Sequence, residues 1–238
     1  MHRFIRHTVV LIAMLLLEGA AGIAQEGTAP PGVYFPAPRE AWESDVAIGL
    51  RVLTVPRDIA EEEINKAPSL DVQAVMGMPW QFSANARVIL QYFTNHFRAG
   101  ARWSQRFGRF SIAVGDDAAF WFGFFDFEGF DNSMNGWINY PNLALGWDFG
   151  DVRLTAKGEA IYLLSLHSLA GENEVSTTRN VIAGGALSLV LEQPLWHNTH
   201  ALLGVRLAWT KFHYQTWFAF STFDRRLLFS ELMFGLLL

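Results

Sequence analysis

The chain of 238 residues contains no cysteine. This absence excludes disulfide bonds and metal sites built from thiolates. Basic residues are also few, because 18 Lys and Arg are outnumbered by 23 Asp and Glu, which gives a formal net charge of −5 at pH 7. Nucleic-acid-binding proteins usually carry a basic patch, so this charge balance does not support a nucleic-acid partner.

Long apolar runs are missing as well, although 51% of the residues are hydrophobic. After residue 24 no stretch reaches the roughly 18 consecutive apolar residues of a transmembrane helix. The apolar run at residues 8–17 is too short to span a bilayer, and it follows a basic start that contains Arg3 and Arg6. Together with the small residues Gly22 and Ala24, it predicts a signal peptide over residues 1–24, with an ordinary membrane anchor as the alternative.

Residues 25–42 contain four of the nine prolines and are interpreted as an irregular lead-in segment. From residue 43 onward, apolar and polar residues alternate with a period of two, which is typical of strands with one apolar side. In the first run Val46, Ile48 and Leu50 lie opposite Ala47 and Gly49. Ten such runs occur, at residues 46–52, 70–78, 84–92, 96–103, 110–114, 143–149, 152–160, 181–191, 201–209 and 232–238.

The connections between these runs alternate in length. Short turns are predicted around Trp80 to Phe82, at Phe107 and Gly108, at Gly150 and Asp151, and over residues 193–198. Long loops are predicted over residues 56–69, 126–141, 165–178 and 211–226. Outer-membrane barrels have short periplasmic turns and long extracellular loops.

Two features depart from that scheme. A tight turn at Thr94 and Asn95 falls on the side of the long loops. Asp116 falls on the apolar side of its run, which predicts either a β-bulge or the point at which the strand leaves the membrane.

The polar side of the runs distinguishes a membrane barrel from a soluble one. It has few charges and many small residues, as expected for the crowded interior of a narrow barrel and not for a surface in water. Large aromatic residues lie near the strand ends, where the membrane–water boundary favours them: Trp80, Tyr92, Trp103, Trp147, Trp196 and Trp209. We therefore predict an all-β, antiparallel transmembrane up-and-down β-barrel over residues 43–238, with about 10 strands and with 8 or 12 as alternatives. A soluble periplasmic ligand-binding barrel is the competing class.

Residues 227–238 alternate to the end of the chain, with Leu232, Phe234, Leu236 and Leu238 on one side. This segment of about a dozen residues resembles the terminal β-signal of small outer-membrane β-barrel proteins of Gram-negative-type bacteria. The last residue of those proteins is usually aromatic, whereas here it is Leu238. The resemblance is to the class and to no single family, and it implies a location in the cell outer membrane.

Charged residues of both signs occupy the side of the strands assigned to the interior. Their near balance predicts a network of ion pairs that fills the lumen, with a narrow path for solutes or ions as the alternative. The cations are Arg51, Arg87, Arg98, Arg102, Arg153, Lys157 and Arg206, and the anions are Asp71, Asp117, Asp148, Glu159, Glu192 and Glu231.

Aromatic residues crowd two further segments, in which both sides are apolar. They form a candidate aromatic rim for contact with a partner, a ligand or lipid: Phe120, Trp121, Phe122, Phe124, Phe125, Trp217, Phe218 and Phe220. The alternative is that the two segments pack on each other or lie in the outer leaflet.

Signals for catalysis are weak. His167 and Ser168 are the adjacent pair that a lipid hydrolase could use as base and nucleophile. The oxygens of Asp126, Glu128, Asp131 and Asn132 lack the spacing of a calcium loop, and no cofactor or metal is predicted.

We expect a non-enzymatic role in structural support, partner docking or limited passage of small solutes or apolar ligands. The alternative function is that of an outer-membrane lipid-modifying hydrolase. Outer-membrane lipid and another envelope protein are the expected partners.

Overall fold

The computed structural model describes residues 32–60, 65–127, 130–170, 173–196, 199–222 and 225–238. Ten strands form one closed antiparallel barrel, in which each strand pairs with its neighbours in sequence and β10 pairs with β1. The strands are β1 Ser44–Thr54, β2 Lys66–Gly77, β3 Phe82–Leu90, β4 Thr94–Phe107, β5 Phe110–Phe127, β6 Phe130–Asp148, β7 Arg153–Ala170, β8 Asn173–Trp196, β9 Thr199–Thr210 and β10 Leu227–Leu237. Two short 3-10 helices, Pro79–Gln81 and Tyr214–Thr222, complete the described structure.

Each strand points alternate side chains into and out of the barrel. On β9, Arg206 is buried while Leu207 and Trp209 are exposed, and on β1 Arg51 is buried while Leu50 is exposed. Charges inside and bulky apolar groups outside are the reverse of a soluble protein, and this arrangement is favourable only where hydrocarbon surrounds the sheet. The predicted transmembrane up-and-down barrel of ten strands is thereby confirmed, and the soluble ligand-binding barrel is not supported.

Aromatic pairs mark the two edges of the apolar outer surface. We call the end of the barrel with the short turns the lower end. Phe110 and Trp147 form the lower girdle near that end, with ring centroids 6.2 Å apart, and Phe120 and Trp137 form the upper girdle, with centroids 5.2 Å apart. At the rise and tilt of strands in such barrels, the ten residues from Phe110 to Phe120 span about 25 Å along the membrane normal. This height matches the apolar band of a membrane barrel. No helix among the described residues is long and apolar enough to cross a bilayer.

The short turns lie where the sequence predicts them, with corrections of one or two residues. At Gly150 and Asp151 the prediction is confirmed, because the Phe149 N–H donates to the Val152 carbonyl at 2.9 Å. The short turn between β4 and β5, earlier in the chain, is centred on Gly108 and Arg109 and not on Phe107 and Gly108, since Phe107 pairs with Phe110. This shift places Gly108, with φ of +60°, at the first central position, where such turns need a positive φ.

The tight turn predicted at Thr94 and Asn95 lies two residues earlier. Gln91 and Thr94 each donate a backbone hydrogen bond to the other, so Tyr92 and Phe93 form the turn. The short connection predicted over residues 193–198 is shorter still, because β8 continues to Trp196 and β9 begins at Thr199.

Two predicted long loops are wrong, because residues 130–141 and 165–170 belong to strands. The four strands β5 to β8 contain 18, 19, 18 and 24 residues, whereas the others contain 9 to 14. Alternation of apolar and polar residues is lost above the membrane, because both sides of the sheet then meet water, but backbone pairing continues. Of the two alternatives predicted for Asp116, a β-bulge or the point at which the strand leaves the membrane, the bulge is wrong, since β5 pairs with β4 and β6 without a register shift there.

An arginine placed on the outer surface tests the apolar band. We expect Val114→Arg to lower the free energy of unfolding by about 2–4 kcal/mol, because the charge would lie in the hydrocarbon layer. The matched control is Phe124→Arg on the same strand beyond the upper girdle, with an expected cost of about 0–1 kcal/mol. Val114 and Phe124 are similarly exposed, at 55% and 50%, so exposure alone predicts equal costs. Denaturant unfolding in phospholipid vesicles measures both, and equal costs would contradict the assignment.

Candidate functional site

The described residues before β1 enter the barrel at the end where the short turns lie. Val33 and Phe35 are fully buried in the lumen. The carboxylate of Glu192 on β8 accepts hydrogen bonds from the backbone N–H groups of Tyr34, at 3.0 Å, and Phe35, at 2.9 Å. The segment over residues 25–42, which the sequence analysis interprets as irregular, therefore contributes residues 32–39, which are buried or half-buried, as a plug at the lower end of the lumen.

Two arginines of the barrel wall, Arg102 and Arg153, contact the plug from other sides, and a third, Arg39, bonds within the plug. Arg102 of β4 donates to the Val33 and Phe35 carbonyls, both at 3.4 Å, and to Ser83 Oγ at 3.0 Å. Arg39 within the plug donates to the Gly32 carbonyl at 2.6 Å. The guanidinium of Arg153 lies 5.5 Å from the centre of the Phe35 ring.

A small residue in the wall makes room for the plug. A Cβ at Gly146 of β6 would lie 2.6 Å from Pro36 Cδ and 2.7 Å from Phe35 Cε2. Burial raises the pKa of the Tyr34 phenol to about 12, so its hydroxyl stays protonated at neutral pH.

Ion pairs fill the middle of the lumen. Glu231 of β10 accepts from Arg206 at 2.6 Å and also contacts Arg51. Glu159 of β7 contacts Arg98, lies 3.2 Å from Lys157 Nζ and 3.4 Å from Arg206 Nε. Each carboxylate thus bridges cations that come from different strands.

Two aspartates extend this central network around the barrel wall. Asp117 of β5 contacts Arg98 and accepts from the side-chain amides of Asn85, at 2.6 Å, and Asn142, at 3.1 Å. Asp71 of β2 accepts two hydrogen bonds from Arg87, at 2.8 and 2.5 Å.

Arg87 also connects the central network to the plug. Its Nη2 donates to the Tyr34 hydroxyl at 2.6 Å. The plug and the network are therefore one connected set of hydrogen bonds.

The structure divides the predicted lumen charges between two levels. The central network brings together Arg51, Asp71, Arg87, Arg98, Asp117, Lys157, Glu159, Arg206 and Glu231. Arg102, Arg153 and Glu192 surround the plug, and Asp148 lies at the lower rim, where Arg106 donates to it at 2.8 Å. Sequence reasoning missed Tyr34 and the amides of Asn85 and Asn142, although the period of two places both amides on the interior side.

The last loop closes the upper end of the lumen. Phe212 and Trp217 are buried, and the Phe212 ring lies 5.1 Å from the ring of Trp121 on β5. A Cβ at Gly123 would lie 2.3 Å from Trp217 Nε1, so the glycine makes room for this indole.

His213 connects this loop to the central network. Its Nε2 lies 3.1 Å from Glu231 Oε1, and burial lowers the pKa of the imidazole. A neutral His213 with its proton on Nε2 donates to the carboxylate.

The candidate aromatic rim is divided between the inside and the outside of the barrel. Trp121 and Trp217 point into the lumen and pack in the upper closure. Phe120 and Phe122 lie on the outer side of β5, and Phe124, Phe125 and Phe218 are exposed. The side chain of Phe220 lies outside the described set.

The weak catalytic signals do not come together. His167 and Ser168 are consecutive residues within β7, so their side chains point to opposite sides of the sheet and do not form a base–nucleophile pair. Among the described residues, no group of three or more His, Asp or Glu side chains is arranged to hold a metal ion. Glu128 of the acidic group lies outside the described residues.

Comparison with known proteins gives similarity of fold only. No family model and no curated protein matches the chain. Neisserial surface protein A is 11% identical with a TM-score of 0.40, and the match covers 82% of this chain and 96% of that one. The outer membrane protease OmpT from Escherichia coli is 7% identical, with a TM-score of 0.47 and coverages of 82% and 94%.

Outer membrane phospholipase A from Escherichia coli is 10% identical, with a TM-score of 0.37 and coverages of 92% and 95%. These structural neighbours are outer-membrane β-barrel proteins, and the similarity to them is one of fold at class level.

Removing one charge of the central network tests its role in stability. We expect Glu231→Gln to lower the free energy of unfolding by about 3–5 kcal/mol, because it leaves the cations Arg51 and Arg206 buried without their shared carboxylate. The control is Arg225→Ala, which removes an exposed ion pair with Asp58 and should cost less than about 1 kcal/mol. Denaturant unfolding in vesicles compares the two, and similar costs would show that the network is solvated.

Proposed function

We propose that the protein is a sealed outer-membrane barrel that serves as a structural and docking element and does not conduct solutes. The observation that carries this proposal is the occupation of the lumen at three levels: the plug below, the central network in the middle and the last loop above.

The central network resists opening because its charges neutralise one another. Arg98 lies between Asp117 and Glu159, and Arg206 lies between Glu159 and Glu231. Moving one of these side chains out of the lumen would leave the others buried and unpaired, which is costly. A barrel of about ten strands is also narrow, since wide aqueous channels need about 16.

An outer-membrane location agrees with the exposed apolar band, the terminal β-strand pattern and the predicted signal peptide. We assign outer-membrane lipid as the partner of the band between the two girdles. Limited passage of small solutes, the alternative from the sequence, requires the plug and the last loop to move together.

A partner from the cell envelope would find an aromatic patch above the upper girdle. The Tyr92 and Phe93 rings lie 4.7 Å apart, and the Phe93 and Phe125 rings lie 5.4 Å apart. Tyr92 is 83% exposed, and Phe124, whose backbone N–H donates to the Phe93 carbonyl at 3.1 Å, is 50% exposed, so this patch is accessible beyond the hydrocarbon layer. We assign docking of another envelope protein to it.

Planar-bilayer recording tests the seal. We expect the purified protein to give no discrete conductance steps after incorporation, because each level of the lumen is filled. Reproducible single-channel steps from the wild-type protein would overturn the proposal.

A single engineered cysteine provides the control for this measurement, since the chain has none of its own. Ser111 is fully buried and pairs with Gly146 beside the plug. In Ser111→Cys, a small polar thiol reagent should react slowly, and deletion of residues 25–38 should raise the rate by about tenfold or more. Asp151→Cys, in an exposed turn, should react at the same rate in both backgrounds. Fast reaction of Ser111→Cys with the plug present would contradict a closed lower end.

Photo-crosslinking in cells tests docking. A photoreactive amino acid at Phe124 should trap an envelope protein, because this position projects above the band. The same group at Leu203, outward-facing on the distant strand β9, should trap lipid only. Crosslinks to protein at Leu203 and none at Phe124 would contradict the assignment of the docking patch.

A further inference from the structure

A carboxylate lies on the lipid-facing side of the barrel. Asp116 of β5 is exposed and points outward. On the same side of this strand Phe110 of the lower girdle is six residues below it, and Phe120 of the upper girdle is four residues above it. Asp116 is therefore within the hydrocarbon layer, and no other outward-facing residue of β4 to β7 between the girdles is charged among those the structure describes.

Among the described residues, one side chain donates a hydrogen bond to Asp116. The side-chain amide of Asn139 on β6 donates to Asp116 Oδ2 at 3.2 Å. A carboxylate can accept about four hydrogen bonds, and within the described chain Asp116 accepts this one from a side chain. Polar groups at such a depth are expensive unless something other than lipid satisfies them, and they usually mark a functional contact.

Small residues lie on several sides of this pair. Ala101 and Ala118 flank Asp116 on β4 and β5, and a Cβ at Gly158 of β7 would meet nothing within 4 Å. Pro141, which pairs with Asp116, has no backbone N–H to donate. The pairing of β6 with β7 is interrupted beside it, because the paired residues are Asn139 with Tyr162 and next Asn142 with Glu159. Small residues let two membrane-spanning elements approach closely.

We propose that this surface binds a second copy of the same chain. Asp116 and Asn139 give the surface one acceptor and one donor, which is the composition that a two-fold symmetric contact needs. In such a dimer one N–H of the Asn139 amide stays on its own Asp116 and the second N–H donates to the Asp116 carboxylate of the other copy, so the carboxylate leaves the lipid. A polar group of a different membrane protein would satisfy the Asp116 carboxylate without using the Asn139 donor and the Asp116 acceptor as a matched pair.

The dimer interface is independent of the seal, because it lies on the outer side of the wall. Full-length protein labelled through Asp151→Cys and reconstituted in phosphatidylcholine vesicles allows dimerisation to be measured by energy transfer between two dyes. We expect concentration-dependent transfer for the wild type, and dimerisation about tenfold weaker in Asp116→Leu and in Asn139→Leu.

Monomer stability separates this role from a merely structural one. In Asp116→Leu a charge leaves the lipid surface, so the unfolding free energy of the monomer should stay the same or rise while dimerisation weakens. A loss of monomer stability with unchanged energy transfer would overturn the proposal.

Oxidative crosslinking locates the contact. Ala118→Cys, beside Asp116, should form an intermolecular disulfide, whereas Leu203→Cys, outward-facing on the distant strand β9, should not. Energy transfer that is absent at every protein-to-lipid ratio, or a crosslink at Leu203→Cys in place of Ala118→Cys, would also overturn it. Capture of a different protein in cells by Ala118→Cys, with purified protein monomeric, would assign the surface to that partner and refute the dimer.

Discussion

The interior of a membrane offers no water to backbone N–H and C=O groups, so every strand in it must find partners on both sides. The pairing of β1 with β10 meets this requirement by removing the last free edge. Closure then forces each strand to divide its side chains between hydrocarbon and lumen. The period of two in the sequence, the apolar band and the buried charges are consequences of that division.

The same division explains why the lumen is full. Residues that alternate with lipid-facing ones must point inward, and in a narrow barrel they meet one another in place of bulk water. Arg98, Glu159 and Arg206 thus become mutual partners across the barrel although they come from three strands. The plug and the last loop cover this set from both ends, and each is tied to it, through Tyr34 and His213 respectively.

The sequence predicts what periodicity encodes and little else. The ten strands and the inward direction of Arg51 or Glu231 follow from alternation, because one shifted residue would turn every side chain of a strand to the wrong side. Turn centres were misplaced at Phe93 and Gly108 because backbone pairing, and not hydrophobicity, sets them. The extra length of β5 to β8 was missed because alternation ends at the water boundary.

Contacts between residues far apart in the chain could not be predicted from the sequence, for a different reason. Residues 32–36 have no period, and their partner Glu192 is 158 residues away from Tyr34 in the chain. Phe120 and Trp121 are adjacent in an aromatic-rich run in which both sides of the strand are apolar, yet Trp121 is in the lumen and Phe120 faces outward. The parity of Asp116 was read correctly, whereas the bulge inferred from it assumed that a carboxylate would not be left facing lipid.

The hydrogen bonds between the plug and Glu192 also constrain the order of folding. Tyr34 and Phe35 lie near the start of the chain, while the carboxylate that binds them belongs to the eighth strand. A partial barrel that lacks β8 cannot form these two hydrogen bonds, so forming them closes a very long loop, with the closure entropy that such a loop costs.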